Sequence, residues 1–307
     1  MNYAVIDLGS NTIRLSVYRY EENKIVTVIR QKEVAGLAGY IKDNRLELAG
    51  IHKACDILHT FKEIASRFVE ANEIHVFATA SLRGIYNQKQ ALEMIKFASG
   101  LIPEILSGEE EARLDFTGAS HYVECKDGIL IDIGGASTEL VLIENSQPLK
   151  LASRPIGCLS LYTDFVGQVI PTERDRKKIK KEIRDQLDSI RWSEREGYPL
   201  MIGIGGTVRA AHKLSSYLFS VPKEQKTMQA GYVKEILKRL KRNEDEIFRT
   251  VYKLIPERTL TIFPGLMILN EAIKKFGCES ISVSGYGVRE GYLIDRILKE
   301  GEIVSAG

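Results

Sequence analysis

The sequence predicts an α/β protein built from two domains, and three observations carry that expectation. The chain has 307 residues, more than one hydrophobic core usually organises. Apolar strands alternate with segments of helical periodicity. A short strand also runs into Asp7-Leu8-Gly9-Ser10-Asn11 and returns at once as a second strand, and the same succession recurs at Asp132-Ile133-Gly134-Gly135-Ala136-Ser137-Thr138. Such a restart is what a duplicated domain leaves behind. The boundary is expected near residue 125, giving domains at 1–125 and 126–307.

In chain order, residues 3–6 read as a strand, 13–20 as a second and 24–30 as a third, the last two separated by the polar turn Glu21-Glu22-Asn23. Leu48, Ile51, Cys55, Leu58, Phe61, Ala65 and Phe68 recur at three and four, which predicts a long amphipathic helix over 46–69. A strand at 74–78, a helix at 88–99, a strand at 102–106 and a helix from residue 109 complete the first half. The second half begins with strands at 129–133 and 139–143. A charged helix is expected at 172–191, a strand at 200–203, and the turn Gly205-Gly206-Thr207 opening a helix. Helices at 231–242 and 265–276, a strand at 280–284 and a helix from residue 289 finish the chain.

Charge and composition exclude several functions. Charged residues make up 27% of the chain but the net charge is only +2, so no global field holds duplex nucleic acid. An anionic ligand must be gripped locally. Cys55, Cys125, Cys158 and Cys278 form no CxxC pair, which argues against zinc and disulfide scaffolds. The five histidines show no metal-ligand spacing. No run approaches a membrane span, the first residues do not read as a leader, and a cytoplasmic protein is expected.

A strand ending in Asp-x-Gly makes a tight turn whose glycines permit positive φ and let backbone N–H groups approach an anion. Ser10 and Thr12 in the first turn, and Ser137 and Thr138 in the second, add hydroxyl donors. Asp7 and Asp132 would repel phosphate, and are better suited to Mg²⁺, which would bridge to phosphate oxygens. A single such turn is more often an ordinary β-turn. Two copies plus a third glycine turn at 203–207 favour phosphate binding across a cleft between the domains. The third turn is not GxGxxG and no GxxxxGK[ST] occurs, so dinucleotide and P-loop readings are set aside.

Ser107-Gly108-Glu109-Glu110-Glu111 places three carboxylates at a helix start, where Ser107 can cap and acids complement the dipole. Beside a phosphate site, one of them can also act as general base toward water. Arg14, Arg83 and Arg289 follow turns or strand ends and are candidate phosphate ligands. The basic helix around Arg176, Lys177, Lys178, Lys180 and Lys181 reads first as a solvated face, since Glu173, Asp175, Glu182 and Asp185 interrupt it, and second as a track for a polyanion.

Taken together, these motifs resemble the exopolyphosphatase and guanosine pentaphosphate phosphohydrolase family. The stretches are Asp7 to Thr12 with Arg14; Ala78-Thr79-Ala80-Ser81-Leu82-Arg83 with Asn87; Ser107 to Leu114; Asp132 to Leu140; Pro155-Ile156-Gly157; Gly205-Gly206-Thr207; and Ser284-Gly285-Tyr286-Gly287-Val288-Arg289-Glu290-Gly291. The resemblance implies two ribonuclease-H-like domains of the actin-like ATPase kind flanking an interdomain cleft, with Mg²⁺ as cofactor. It implies one phosphate loop at Gly9, Ser10 and Asn11, another at Gly134, Gly135, Ala136, Ser137 and Thr138, a substrate-clamping Arg83 and a catalytic glutamate within Glu110-Glu111, with Glu110 preferred. Ala136 stands where a third glycine is common, and Leu260 where an acid is usual. The expected substrate is inorganic polyphosphate, shortened from its end, with guanosine pentaphosphate as the alternative. A polyphosphate- or nucleotide-binding regulator with weakened catalysis is the reading from another class. A homodimer is the usual expectation for such a chain.

Overall fold

The computed structural model describes residues 1–299 other than 23, 193–196 and 223, and the backbone alone at 241 and 244; Asn23 of the predicted hairpin turn thus lies outside the described residues. The chain divides into two compact units, Met1–Glu111 with the residues from Tyr292 on, and Ala112–Gly291.

In the first unit, strands β1 (Asn2–Leu8), β2 (Thr12–Glu21) and β3 (Lys24–Val34) form the expected meander. A small hairpin of β4 (Ile41–Lys42) and β5 (Arg45–Leu46) precedes helix α1 (Leu48–Ala65). Strand β6 (Ile74–Ala78), helix α2 (Gln88–Ser99) and strand β7 (Glu104–Ile105) follow, then helix α3 (Gly108–Ser120). The sheet order is β3-β2-β1-β6-β7. β1 pairs antiparallel with β2 and parallel with β6, and β6 is parallel to β7. Ala4, Val5, Ile6 and Leu8 are fully buried, so β1 is apolar on both faces as a central strand must be. α1 turns Ile51, Ala54, Leu58 and Phe61 into the core, as its periodicity requires.

The second unit repeats the plan. β8 (Gly128–Ile133), β9 (Thr138–Glu144) and β10 (Gln147–Arg154) form an antiparallel meander. After helices α4 (Cys158–Phe165) and α5 (Glu173–Asp188), strand β11 (Leu200–Ile204) pairs parallel to β8 and opens directly into α6 (Gly205–Phe219). Edge strand β12 (Thr227–Gln229) leads into helices α7 (Gly231–Arg242), α8 (Glu244–Leu254) and α9 (Ile262–Phe276). Strand β13 (Ser280–Val283), parallel to β11, and helix α10 (Val288–Tyr292) close the series. The sheet order β10-β9-β8-β11-β13-β12 matches the first sheet strand for strand, with β12 added at the edge. Three antiparallel strands continued by two parallel ones is the ribonuclease-H-like arrangement, present twice. α9 is buried nearly all round, which marks it as the unit's central helix.

The units part at Glu111/Ala112 and again at Gly291/Tyr292, whereas the sequence places one boundary near residue 125. The repeat restarts at Gly128, but packing changes earlier. Ala112 and Ala119 of α3 already cluster with Leu130, Val141 and Ile143 of the second sheet. Tyr292 returns to the first unit, stacking on Phe77 with ring centroids 5.0 Å apart and donating its hydroxyl to Glu104 at 2.7 Å.

Candidate functional site

Loops that follow parallel strands gather at the carboxyl edge of a sheet, the usual place for a ligand in α/β folds. In the first unit β1, β6 and β7 run parallel, so the turn at Asp7, the segment carrying Arg83 and the start of α3 emerge at one edge. Arg83 Nη1 donates to Glu111 Oε2 at 3.0 Å and to the Leu106 carbonyl at 3.2 Å. Glu111 is only 9% exposed. The structure therefore brings together two residues singled out from sequence stretches 28 positions apart.

Glu110, the sequence's preferred base, is differently engaged. Its Oε2 accepts the Ser107 N–H at 2.9 Å while Ser107 Oγ accepts the Glu110 N–H at 3.2 Å, a capping box. Its Oε1 accepts from Arg296 at 2.9 Å. The Ser107 N–H and then the Ser107 hydroxyl, against a smaller opposing push from burial, hold the Glu110 carboxyl below the ordinary range, with Arg296 adding to the effect. Both oxygens serve the helix start and an ion pair. The capping reading of the acidic run thus describes Glu110.

In the second unit β8, β11 and β13 are parallel, and the turns at Asp132, Gly205 and Ser284 share their carboxyl edge. The two Asp-x-Gly turns have a common internal geometry. A Cβ on Gly9 would lie 2.8 Å from the Thr12 carbonyl oxygen, and one on Gly134 would lie 3.0 Å from that of Ser137. Neither glycine has positive φ, nor does Ala136. This corrects the expectation that the turns use glycine for left-handed backbone. They use it for close approach, and the Ala136 methyl meets no conformational obstacle. Gly157 abuts the Gly135–Ala136 backbone, and the first N–H groups of α4 donate to the turn: Cys158 to the Gly134 carbonyl at 2.9 Å, and Leu159 and Ser160 to the Gly135 carbonyl at 2.9 Å. Left-handed backbone appears in the third turn instead, where Gly205 has φ 79° and any Cβ would strike the Asp132 carboxylate.

Several expected phosphate donors face inward. Thr138 and Thr207 are fully buried; their hydroxyls donate to the Ile156 carbonyl at 2.6 Å and toward the Ile133 carbonyl at 3.5 Å. A buried hydroxyl takes an internal acceptor, so these threonines fix turns through their side chains. Arg14 lies opposite Asp7 in the β1–β2 register and its Nη1 is 3.4 Å from Asp7 Oδ2, which ties it to the carboxylate expected to hold metal. Ser10, Thr12 and Ser137 are nearly buried at the turns, and Arg289 sits half-buried on α10. Arg258, to which the motifs give no role, lies with its guanidinium against Gly206 where a side chain would otherwise project. Only a residue without a Cβ permits that approach, and no local pattern in Pro256-Glu257-Arg258 announces it.

No group of three or more His, Cys, Asp or Glu capable of caging a metal occurs among the described residues. Mg²⁺ commonly retains waters and takes one or two carboxylates plus substrate phosphates, and a single carboxylate at a turn, as Asp7 is in the first unit and Asp132 in the second, is a donor of that type.

A family model described as the Ppx/GppA phosphatase family matches residues 16–300. The chain belongs to that family. A guanosine-5'-triphosphate,3'-diphosphate pyrophosphatase of Aeromonas hydrophila is 32% identical over 301 residues, covering 95% of this chain and 58% of the relative. The chain thus spans little more than half the length of that relative. An exopolyphosphatase of Cytophaga hutchinsonii has TM-score 0.84 at 21% identity, covering 98% of each chain. An Aquifex aeolicus member of the family has TM-score 0.78 at 24% identity, again over 98% of each chain. The shared architecture with both is that of the fold described above.

Proposed function

We propose that the chain is a Mg²⁺-dependent exopolyphosphatase of the cytoplasm. The observation that carries this reading is the duplicated Asp-x-Gly turn at the carboxyl edge of two like sheets, one edge also holding the Arg83–Glu111 pair. Family membership supports hydrolysis of a phosphoric anhydride. Cys55, Cys158 and Cys278, buried as free thiols, suit a reducing compartment.

The residues divide the work as follows. Backbone N–H groups of the two turns, with Ser10, Asn11 and Ser137, hold phosphoryl oxygens. Glu111 accepts the proton of a water that attacks the terminal phosphorus, and Arg83 keeps that carboxylate oriented and offers charge to the phosphoryl group. The terminal P–O–P bond breaks, a P–O bond to the water oxygen forms, and orthophosphate leaves. Asp7 in its unit, or Asp132 in its own, would hold Mg²⁺, which would supply charge neutralisation. We prefer Glu111 to Glu110 as base because Glu111 stands nearly buried beside Arg83 at the carboxyl edge of the first sheet, whereas Glu110 serves the helix cap and Arg296.

The second reading, hydrolysis of guanosine pentaphosphate to the tetraphosphate, is favoured by the name of the 32% identical relative. Purified protein is incubated with Mg²⁺ and, separately, polyphosphate, guanosine pentaphosphate, or ATP with acceptors, and orthophosphate is followed. The higher kcat/KM chooses between the first two substrates. Absence of release from every substrate, with binding retained, overturns the enzyme and leaves a binding protein. A D132N variant that still gains thermal stability from Mg²⁺ equal to wild type removes Asp132 from the metal site. The same purification reads the oligomeric state, for which a homodimer is expected.

A further inference from the structure

The second unit carries a pocket whose lining shares no residue with the three turns. Helices α5, α7 and α9 enclose about 350 Å³. Its walls bear Arg176, Lys177, Lys180, Lys234, Lys238 and Lys274 against two carboxylates, Glu173 and Glu271. Leu237, Leu240 and Met267 supply an apolar floor. The sequence favours a solvated face for α5, with acids interspersed among the cations. In three dimensions the charges separate from that average.

Glu271 is nearly buried and its carboxylate is consumed by Arg184 at 2.7 Å, Lys274 at 2.6 Å and Asn270 at 3.0 Å. Glu173 is exposed and pairs with Lys177 at 3.1 Å, and Lys238 pairs with Glu235 at 2.6 Å. Arg176, Lys180 and Lys234 make no ion pair among the described residues. Arg176 is the sharpest case, since its Nε and Nη1 are buried with no hydrogen-bond partner. A half-buried guanidinium without an acceptor carries a desolvation cost that an arriving anion relieves.

From this we infer a second anion site, built by α5, α7 and α9, for a polyphosphoryl anion. Uncompensated cations on two helices, backed by the other lysines of the wall and by Lys stems along an apolar floor, match several linked phosphoryl groups better than one. The pocket is too small for a folded peptide, and Arg and Lys are the side chains that take phosphate. The inference goes beyond the hydrolytic reading and rests on it only in supposing that the chain meets polyphosphoryl anions.

The experiment compares full-length wild type with an R176Q/K180Q/K234Q variant, titrating each with long-chain polyphosphate and, separately, guanosine tetraphosphate. The variant is expected to bind one of them about tenfold or more weakly, since each cation near a dense anion contributes appreciably. The ligand that loses affinity names the source. Hydrolysis of tripolyphosphate should be unchanged, and an R176K/K180R/K234R variant, which keeps every charge, should bind as wild type. Equal affinity of wild type and the glutamine variant for both ligands overturns the site. So does an equal loss in a K24Q/K89Q/K126Q control, or an equal loss toward polyglutamate, because either reduces the effect to general charge. Binding is read without turnover, so an inactive wild type would sink the hydrolytic reading and leave this one to stand or fall on its own affinities.

Discussion

The two units share a strand order and a turn, yet they spend their loops on different chemistry. At the carboxyl edge of the first sheet stand ionisable side chains: Asp7 facing Arg14, and Glu111 held by Arg83. At the corresponding edge of the second sheet Asp132 stands half-buried opposite Glu139 in the β8–β9 register, at a turn braced by backbone. α4 donates its N–H groups to the turn, Gly205 takes the one left-handed conformation of the three turns, and Gly206 makes room for Arg258. One scaffold, used twice, thus carries an Arg–Glu pair at the edge of one copy and glycine turns packed against backbone and Arg258 at the edge of the other. Function separates through loops while sheets stay constant.

The largest break in this comparison comes from the Arg–Glu pair. Glu111→Gln should lower kcat by roughly 10²–10⁴-fold with substrate affinity nearly retained, because a general base acts on water rather than on binding. Kinetics paired with equilibrium titration read the split. A variant that keeps its turnover while Glu110→Gln abolishes it returns the role to Glu110.

On the side of the glycine turns, Gly205→Ala puts a methyl at φ 79° and into the Asp132 carboxylate. Strain in that region costs on the order of 1–3 kcal/mol. The expected signature is a raised KM and a raised Mg²⁺ requirement, with a lower Tm. Wild-type Mg²⁺ dependence in the Gly205→Ala variant would show that Asp132 does not serve the metal.

Much of the fold is legible in the sequence because its signals are local. Helices α2 and α7 and strand β6 span the predicted residues. β10 is hidden because Pro148, Lys150 and Ser153 break its apolar alternation and only Ala152 is buried, and α8 because Asn243 caps it directly after α7, so one periodic stretch holds two helices. At the site, Asp-x-Gly turns are readable as strings, and their recurrence reveals the duplication. What a string cannot carry is the acceptor a hydroxyl finds. Thr138 and Thr207 look like Ser137 on paper and differ only because Ile156 and Ile133 present carbonyls to them. The choice between adjacent glutamates has the same cause, since it depends on Ser107, Arg296 and Arg83 meeting them in space.

Thr207→Val sharpens that point at smaller amplitude. Losing a long hydroxyl–carbonyl contact should cost about 1 kcal/mol or less of stability and leave KM unchanged. Calorimetry with steady-state kinetics reads both, and a tenfold rise in KM would put the hydroxyl back on the substrate.

The smallest effect concerns Glu110 and pH. Its carboxyl is held below the ordinary range in the folded protein, chiefly by the Ser107 N–H. A depressed carboxylate contributes stability that is full above the unfolded value and lost as pH falls through the folded one. Wild type should therefore exceed Glu110→Gln in Tm at neutral pH, and the gap should close as acid passes below the usual carboxylate range. The group is largely solvated, so screening keeps the difference modest. A gap constant with pH would mean that the Ser107 cap works equally well with a neutral amide, and that Arg296 adds no charge-dependent stability to the start of α3.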